Sequence, residues 1–253
     1  MRNDQFADAL SLARGAGRVE VFTGAGMSAE SGLDTFRDAR TGLWTKVDPV
    51  AFASLDSWAR DPEPMWAWYL WRGAVCRNAE PNAGHRAIAD WAGLDGAHVG
   101  VTTQNIDDLH ERGGARDVVH LHGSLFEYRC TVCSRPWRGE VDYPAEPVPR
   151  RTPPACPLCG NLVRPGVVWF GENLPEKEWD RAEARMAAAD LVVVVGTSGV
   201  VQPAAGLPAL AKRFGAQVLE ISPEETELSR IADVSWRSTA ARGLPELVLG
   251  LTL

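Results

Sequence analysis

Three observations predict an α/β chain: strand-length apolar runs alternate with helical stretches, two of those runs end in glycine turns, and two Cys-x-x-Cys pairs sit between them. The first run, over 19–22, enters Gly24-Ala25-Gly26, and Ala29 completes the Gly-x-Gly-x-x-Gly/Ala spacing of a dinucleotide-binding turn. Glycines there permit positive φ and close backbone approach, and a helix opening after them would turn free N–H groups toward a pyrophosphate. The same glycines also suit an ordinary strand-to-helix turn. The second run, 191–195, is apolar throughout, as a strand covered on both faces of a parallel sheet must be, and leads into Gly196-Thr197-Ser198. The predicted architecture is a Rossmann-like doubly wound parallel sheet with a small inserted zinc-ribbon domain and a helical insertion.

The elements follow in order. Residues 6–14 form a short amphipathic helix closed by Gly15 and Gly17. After the glycine turn, 32–44 has no clean period and reads as a long loop, a kind of segment that is often functional. From 49 to 91 the pattern is helical and rich in aromatics (Phe52, Trp58, Trp66, Trp68, Tyr69, Trp71, Trp91), punctuated by Pro62, Pro64 and Pro81. Such aromatics mostly pack one layer onto another. Strands over 97–103 and 118–121 come next, then the cysteine segment and a strand-like stretch over 163–171. Helices over 181–189 and 204–214 and a strand over 217–221 complete a βαβ unit. This divides the chain into a sheet domain (1–36, 92–126 and 163–253), a helical insertion (37–91) and a ribbon (127–162).

The chain has 253 residues, enough for a sizeable core, and is 45% hydrophobic and 23% charged, which excludes disorder. A net charge of -7 argues against nucleic acid as a partner. No leader-like or membrane-spanning run is present, so a cytoplasmic location and no membrane partner are expected.

Cys130-Thr-Val-Cys133 and Cys156-Pro-Leu-Cys159, about 20 residues apart, match a tetrahedral structural zinc site. A closed four-thiolate set leaves no position for water and so serves folding. Cys76 reads as a small buried hydrophobe. Ligands of open α/β sheets bind beyond the C-terminal strand ends, where Gln104, Asn105, Asp107 and His122 all lie. Asn and Asp suit hydroxyl and carboxamide groups, and His is a natural base near neutral pH.

Residues 24–32, Thr35-Phe36-Arg37, Thr103-Gln-Asn-Ile-Asp107, His120-Leu-His-Gly123, the four cysteines and Gly196-Thr-Ser198 together resemble the sirtuin signature set, in the sirtuin order and over 19–221. The resemblance implies a deacylase of modified lysines in proteins or peptides that consumes NAD as co-substrate and holds one structural zinc ion. It implies that the acyl oxygen attacks C1′ of the nicotinamide ribose, and that His122 is the base activating a ribose hydroxyl. Asn105 and Asp107 would hold the ribose and nicotinamide, with Gln104 on the ribose. Gly24, Ala25, Gly26, Ser28, Thr35, Phe36, Arg37, Gly196, Thr197, Ser198 and Ser222 would line the dinucleotide. Val168, Phe170 and Gly171 resemble the strand that pairs with an extended substrate peptide.

Tyr69 and Arg72 stand three apart, on one helix face. Spacing alone suits a core tyrosine and a solvated arginine. Their surroundings look like those of class III sirtuins, where Tyr-x-x-Arg binds the distal carboxylate of succinyl- or malonyl-lysine and a small residue stands at Ala53. The resemblance therefore implies desuccinylase and demalonylase activity, with deacetylation retained. Two positions depart from the family: Asp34 is unusual, and Ser222 stands where an Asn usually contacts the adenosine ribose. A dehydrogenase would need an acidic strand where 35–44 reads as a loop. Protein mono-ADP-ribosyl transfer would use the same dinucleotide site, and a non-catalytic zinc module would leave His122 and Asn105 idle.

Overall fold

The computed structural model describes residues 2–33 and 52–253. Helix α1 (Arg2–Arg14) precedes β1 (Arg18–Thr23). Helices α2 (Leu55–Arg60), α3 (Pro62–Asn78) and α4 (Ala83–Ala92) lead to β2 (His98–Thr103), and the short α5 (Leu109–Arg112) to β3 (Val118–His120). Then come β4 (Gly123–Cys130), β5 (Pro136–Trp137), β6 (Val163–Val167), α6 (Glu176–Ala188), β7 (Leu191–Val195), α7 (Leu207–Arg213), β8 (Gln217–Ile221), β9 (Val234–Trp236) and α8 (Ala240–Leu251).

The main sheet runs β3-β2-β1-β7-β8-β9, every pair parallel. Counted along the chain this is the doubly wound order, whose switch point lies between β1 and β7. Strand side chains alternate between two covered faces. Val19, Val21, Val193, Val195 and Leu219 pack with Ala9, Trp91, Leu244 and Leu247 of α1, α4 and α8. Phe22, Val192, Val194 and Val218 pack with Ala182, Met186, Leu207 and Ala211 of α6 and α7. This two-sided burial is why 191–195 reads as unbroken valine and leucine.

A second core lies outside the sheet. Most of the aromatics of α2 and α3 (Trp58, Trp66, Trp68, Tyr69) are buried against Leu125, Val163, Val167 and Trp169. The small antiparallel sheet β5-β4-β6 forms its floor. Its strands thus extend to either side of 127–162. Pro62 opens α3, where a missing N–H costs nothing. Arg150, in the proline- and arginine-rich centre of the ribbon, grips Asp61 through two bonds of 2.7 and 2.8 Å, tying ribbon to helix.

Two expectations are corrected. No α-helix opens directly after Gly24: two 3-10 turns, Ala25–Met27 and Ala29–Ser31, take its place and end at Gly32 in the left-handed region. Asn82 holds this arrangement by donating to the Met27 carbonyl at 2.9 Å and the Ser31 hydroxyl at 3.1 Å. The strand expected over 163–171 stops at Val167. Beyond it, Val168 N–H donates to the His122 carbonyl and Phe170 N–H to the Ala53 carbonyl, so the chain leaves the β4 edge.

Candidate active site

The site is assembled at the C-terminal ends of β1, β2 and β7. The two glycine turns lock onto each other: Gly24 N–H donates to the Val195 carbonyl at 3.1 Å and Gly26 N–H to the Gly196 carbonyl at 2.8 Å. A Cβ on Gly24 would stand 2.8 Å from Thr197 Cβ, and one on Gly26 2.8 Å from Gly196 Cα. Neither glycine takes positive φ, contrary to the expectation from sequence; Gly32 and Gly196 do. Gly24 and Gly26 are needed for the close passage of two backbones, a constraint created by β7 and invisible within the first turn. Gln104 stitches the same junction, donating from Nε2 to Thr197 Oγ1 at 2.9 Å.

Beside it lies a buried polar chain. Asn105 Nδ2 donates to Ser28 Oγ at 3.2 Å, and Ser28 Oγ donates to Asp107 Oδ2 at 3.0 Å. The other Asp107 oxygen accepts from Leu109 N–H at 3.1 Å. Burial pushes the Asp107 carboxyl above its ordinary pKa, against these two hydrogen bonds. The Asn105 main chain is held from both sides. Its N–H donates to Thr103 Oγ1, which pairs with Thr23 Oγ1, which in turn bonds His110 Nε2 at 2.9 Å. Its carbonyl accepts from His120 Nδ1, whose Nε2 bonds Glu111 at 2.8 Å. Burial works against a charged His120, but the Glu111 hydrogen bond and charge outweigh it and raise its pKa. Burial drives His110 the other way, well below the ordinary value.

His122 Nδ1 bonds the Gln104 carbonyl at 2.9 Å. A carbonyl only accepts, so Nδ1 carries the proton and Nε2 keeps its lone pair. Burial lowers the His122 pKa, against that bond, and favours the neutral imidazole. Ser198 is exposed, whereas Ser222 is 7% exposed and its Oγ accepts from Glu224 N–H at 3.4 Å. Ala25 sits in the first 3-10 turn. Thr35, Phe36, Arg37 and Asp34 lie outside the described residues.

His122 is joined to the aromatic chamber through the segment after β6. Trp169, inside that segment, donates from Nε1 to the Tyr69 hydroxyl at 2.9 Å. The Arg72 guanidinium lies 4.9 Å from the Trp68 ring centroid, on the same helix as Tyr69. Ala53 is buried at 3% exposure, and Phe170 is 42% exposed. Sequence reasoning missed the brace behind this segment. Arg164 bonds both oxygens of Glu172 at 2.6 and 2.8 Å, stacks 3.3 Å from the Trp169 ring centroid, and is 2% exposed. Pairing with Arg164 holds Glu172 below its ordinary pKa against the opposing effect of burial. A Glu172 five residues past a strand carries no local sign of that pairing. His120 and Glu111 were equally hidden, although His120 stands in the motif beside His122.

The sulfur atoms of Cys130, Cys133, Cys156 and Cys159 all lie within 4.8 Å of one another. Cys130–Cys159 and Cys133–Cys156 are 3.4 and 3.8 Å apart. A tetrahedral site with zinc–sulfur bonds of about 2.3 Å has edges of about 3.8 Å, so the four fit one zinc ion. No helix among the described residues is long and apolar enough to cross a membrane.

A doubly wound sheet with interlocked glycine turns at its switch point, a buried histidine held through Nδ1 and a remote four-thiolate ribbon defines an α/β enzyme that works on a nucleotide. Residues 24–203 match the model of the Sir2 family. The chain is 64% identical over 251 residues to the NAD-dependent protein deacylase 2 of Corynebacterium efficiens, covering 98% of each. It is 63% identical to the NAD-dependent protein deacylase of Corynebacterium glutamicum, over 96% of this chain and 95% of that one. Among solved structures, a Sir2 homolog–NAD complex matches with a TM-score of 0.89 and 45% identity, over 97% of this chain and 93% of the other. The chain belongs to the Sir2 family, as the resemblance to the class III sirtuins implied.

Proposed function

We propose that this chain, an NAD-dependent protein deacylase, removes succinyl and malonyl groups, and also acetyl groups, from lysine side chains of proteins, releasing nicotinamide and O-acyl-ADP-ribose. One observation carries the acyl preference: Tyr69, buried in the aromatic core, and the half-buried Arg72, whose guanidinium lies 4.9 Å from the Trp68 ring centroid, stand one turn apart on α3. Burial, opposed by Arg72, lifts the Tyr69 phenol to about 12, so it remains a donor at any working pH. A guanidinium grips a carboxylate bidentately and a phenol adds a further bond. A neutral acyl group forgoes both, a difference of about 1–3 kcal/mol for each buried polar group left unmatched.

The roles of the remaining residues follow their positions. The glycine junction, with Ala25, Ser28, Thr197, Ser198, Gln104 and Ser222, lines NAD; the family resemblance adds Thr35 to that lining and assigns Phe36 and Arg37 to the reacting centre. NAD supplies an electrophilic ribose carbon as nicotinamide departs. Asn105 and Asp107, fixed through Ser28, orient the ribose and nicotinamide. His122 Nε2 takes the proton of a ribose hydroxyl, while its Nδ1 bond to Gln104 keeps the ring from turning. The peptide lies along 168–171. The sheet domain thus serves NAD, the helical insertion the acyl group and the ribbon the zinc. A reducing cytoplasm suits the four thiolates, which are unpaired by disulfides.

The test is a panel of succinyl-, malonyl- and acetyl-lysine peptides with NAD, reading free nicotinamide, for wild type and Arg72→Met. Arg72→Met should lose succinyl turnover and keep much of its acetyl turnover. Equal loss of both, or a wild type indifferent to succinyl-lysine, overturns the acyl assignment.

A further inference from the structure

We propose that Trp169 is a specificity-determining positioning residue: by saturating the acceptor side of the Tyr69 hydroxyl, it commits that hydroxyl to donate its proton to the acyl carboxylate. The inference rests on the reading of Tyr69 and Arg72 as the acyl site and adds to it a residue outside that pair.

The direction of the bond follows from chemistry. An indole N–H only donates, so the 2.9 Å contact makes the Tyr69 oxygen the acceptor. The phenolic proton must then point elsewhere, and among the described residues no hydrogen bond takes it. Both rings are buried, at 1% and 4% exposure, so water does not compete freely for that proton. A buried donor left open in an apolar chamber is costly until a ligand supplies an acceptor. An acceptor bond already made also polarises the O–H and strengthens the next one.

The indole is not free to release Tyr69. Its ring stacks on the Arg164 guanidinium at 3.3 Å and meets Trp58 at a centroid distance of 5.2 Å. Its main-chain N–H donates to Glu172 Oε2 at 2.8 Å, and the same carboxylate holds Arg164. On either side, Val168 and Phe170 are pinned to His122 and Ala53. The segment that carries Trp169 is therefore the one tied to the catalytic histidine, and the hydroxyl it orients belongs to the acyl chamber. A carboxylate, which only accepts, matches a Tyr69 that only donates. With Trp169 silent, Tyr69 would be free to accept as well, and a carboxylate would lose its advantage over acyl ends that donate.

Trp169→Phe keeps an aromatic ring beside Arg164 and removes the N–H together with the pyrrole ring, so the double variant with Tyr69→Phe separates the lost bond from the lost packing. The ratio of succinyl to acetyl kcat/KM should fall about fivefold or more, through a rise in succinyl KM with kcat little changed. Tyr69→Phe should lower the same ratio, and the double variant should be no worse than Tyr69→Phe. A ratio unchanged in Trp169→Phe but lowered in Tyr69→Phe overturns the role of Trp169 alone. Additive effects in the double variant, or a Trp169→Phe variant that loses both activities in parallel, reduce Trp169 to packing and overturn it too. A ratio unchanged in Tyr69→Phe brings down the acyl-site reading and the inference with it. Independently of activity, 15N spectra of the indole groups should show the Trp169 Nε1–H signal, identified by its loss in Trp169→Phe, moving in Tyr69→Phe. An unmoved signal means the hydrogen bond is not made.

Discussion

His122 donates its Nδ1 proton to the main-chain carbonyl of Gln104 across 2.9 Å, and Gln104 in turn reaches Thr197 of the second glycine turn. His122 and the second glycine turn are therefore linked through a single residue. Because burial lowers the His122 pKa, the neutral base persists as pH falls, and activity is lost only as pH drops through that lowered value. The acid limb of kcat/KM should have its midpoint below the ordinary histidine value of about 6.5. His122→Ala should lower turnover by about 10²–10⁴-fold. Steady-state pH profiles of both proteins check this, and a variant within tenfold of wild type would move the base elsewhere.

The glycine junction predicts a contrast between two alanine substitutions. Gly196 has φ +63, and a Cβ there would collide with the Met27 nitrogen; Gly32 has φ +81 and open space around it. Gly32→Ala should cost about 1 kcal/mol from backbone strain alone. Gly196→Ala adds overpacking and should cost about 3 kcal/mol or more. Denaturant melts of the two variants measure the difference, and equal losses would mean the turns yield to one another.

Removal of zinc should melt β4–β6 before the main sheet. Cys130 ends β4, Cys133 stands in the turn after it and Cys156 and Cys159 precede β6, and the second core rests on that small sheet. Metal analysis should return one zinc per chain. Chelation should abolish deacylation because the segment from Val168 to Glu172 leaves directly from β6. Full activity in a zinc-free protein would refute this.

Glu20, in the middle of the main sheet, is raised to about 7, chiefly by burial, against a Thr102 hydrogen bond and the Arg185 charge. Its folded pKa lies above the unfolded one, so its contribution is fully present below the unfolded value and lost as pH rises through about 7. The shift corresponds to on the order of 3 kcal/mol. Glu20→Gln should therefore gain stability relative to wild type between pH 5 and pH 8, read as a Tm difference that grows with pH. A difference independent of pH would show that Glu20 is ionised in both states throughout that range.

The sequence by itself determined the parts that depend on local pattern. The unbroken run over 191–195 marked a strand covered on both faces, the two Cys-x-x-Cys pairs marked a metal ribbon, and the polar residues after β2 and β3 marked the site. The ordered motifs gave the family. The final strand β9, three residues long, is too short to show a period, and Pro245 inside helix α8 argues locally against the helix that forms there.

Only the tertiary structure decided why particular residues are needed. Gly24 and Gly26 read as a turn that brings backbone close to a ligand, yet their immediate constraint is Gly196 and Thr197, about 170 residues away. Tyr69 read as half of a clamp, yet its hydroxyl is directed by Trp169, and Trp169 is held by an ion pair between Arg164 and Glu172. A strand or a metal site is encoded in residues a few positions apart, whose periodicity survives in the sequence. A close backbone crossing or the direction of a buried proton depends on groups that meet only after folding, and nothing in the local pattern records which groups those are.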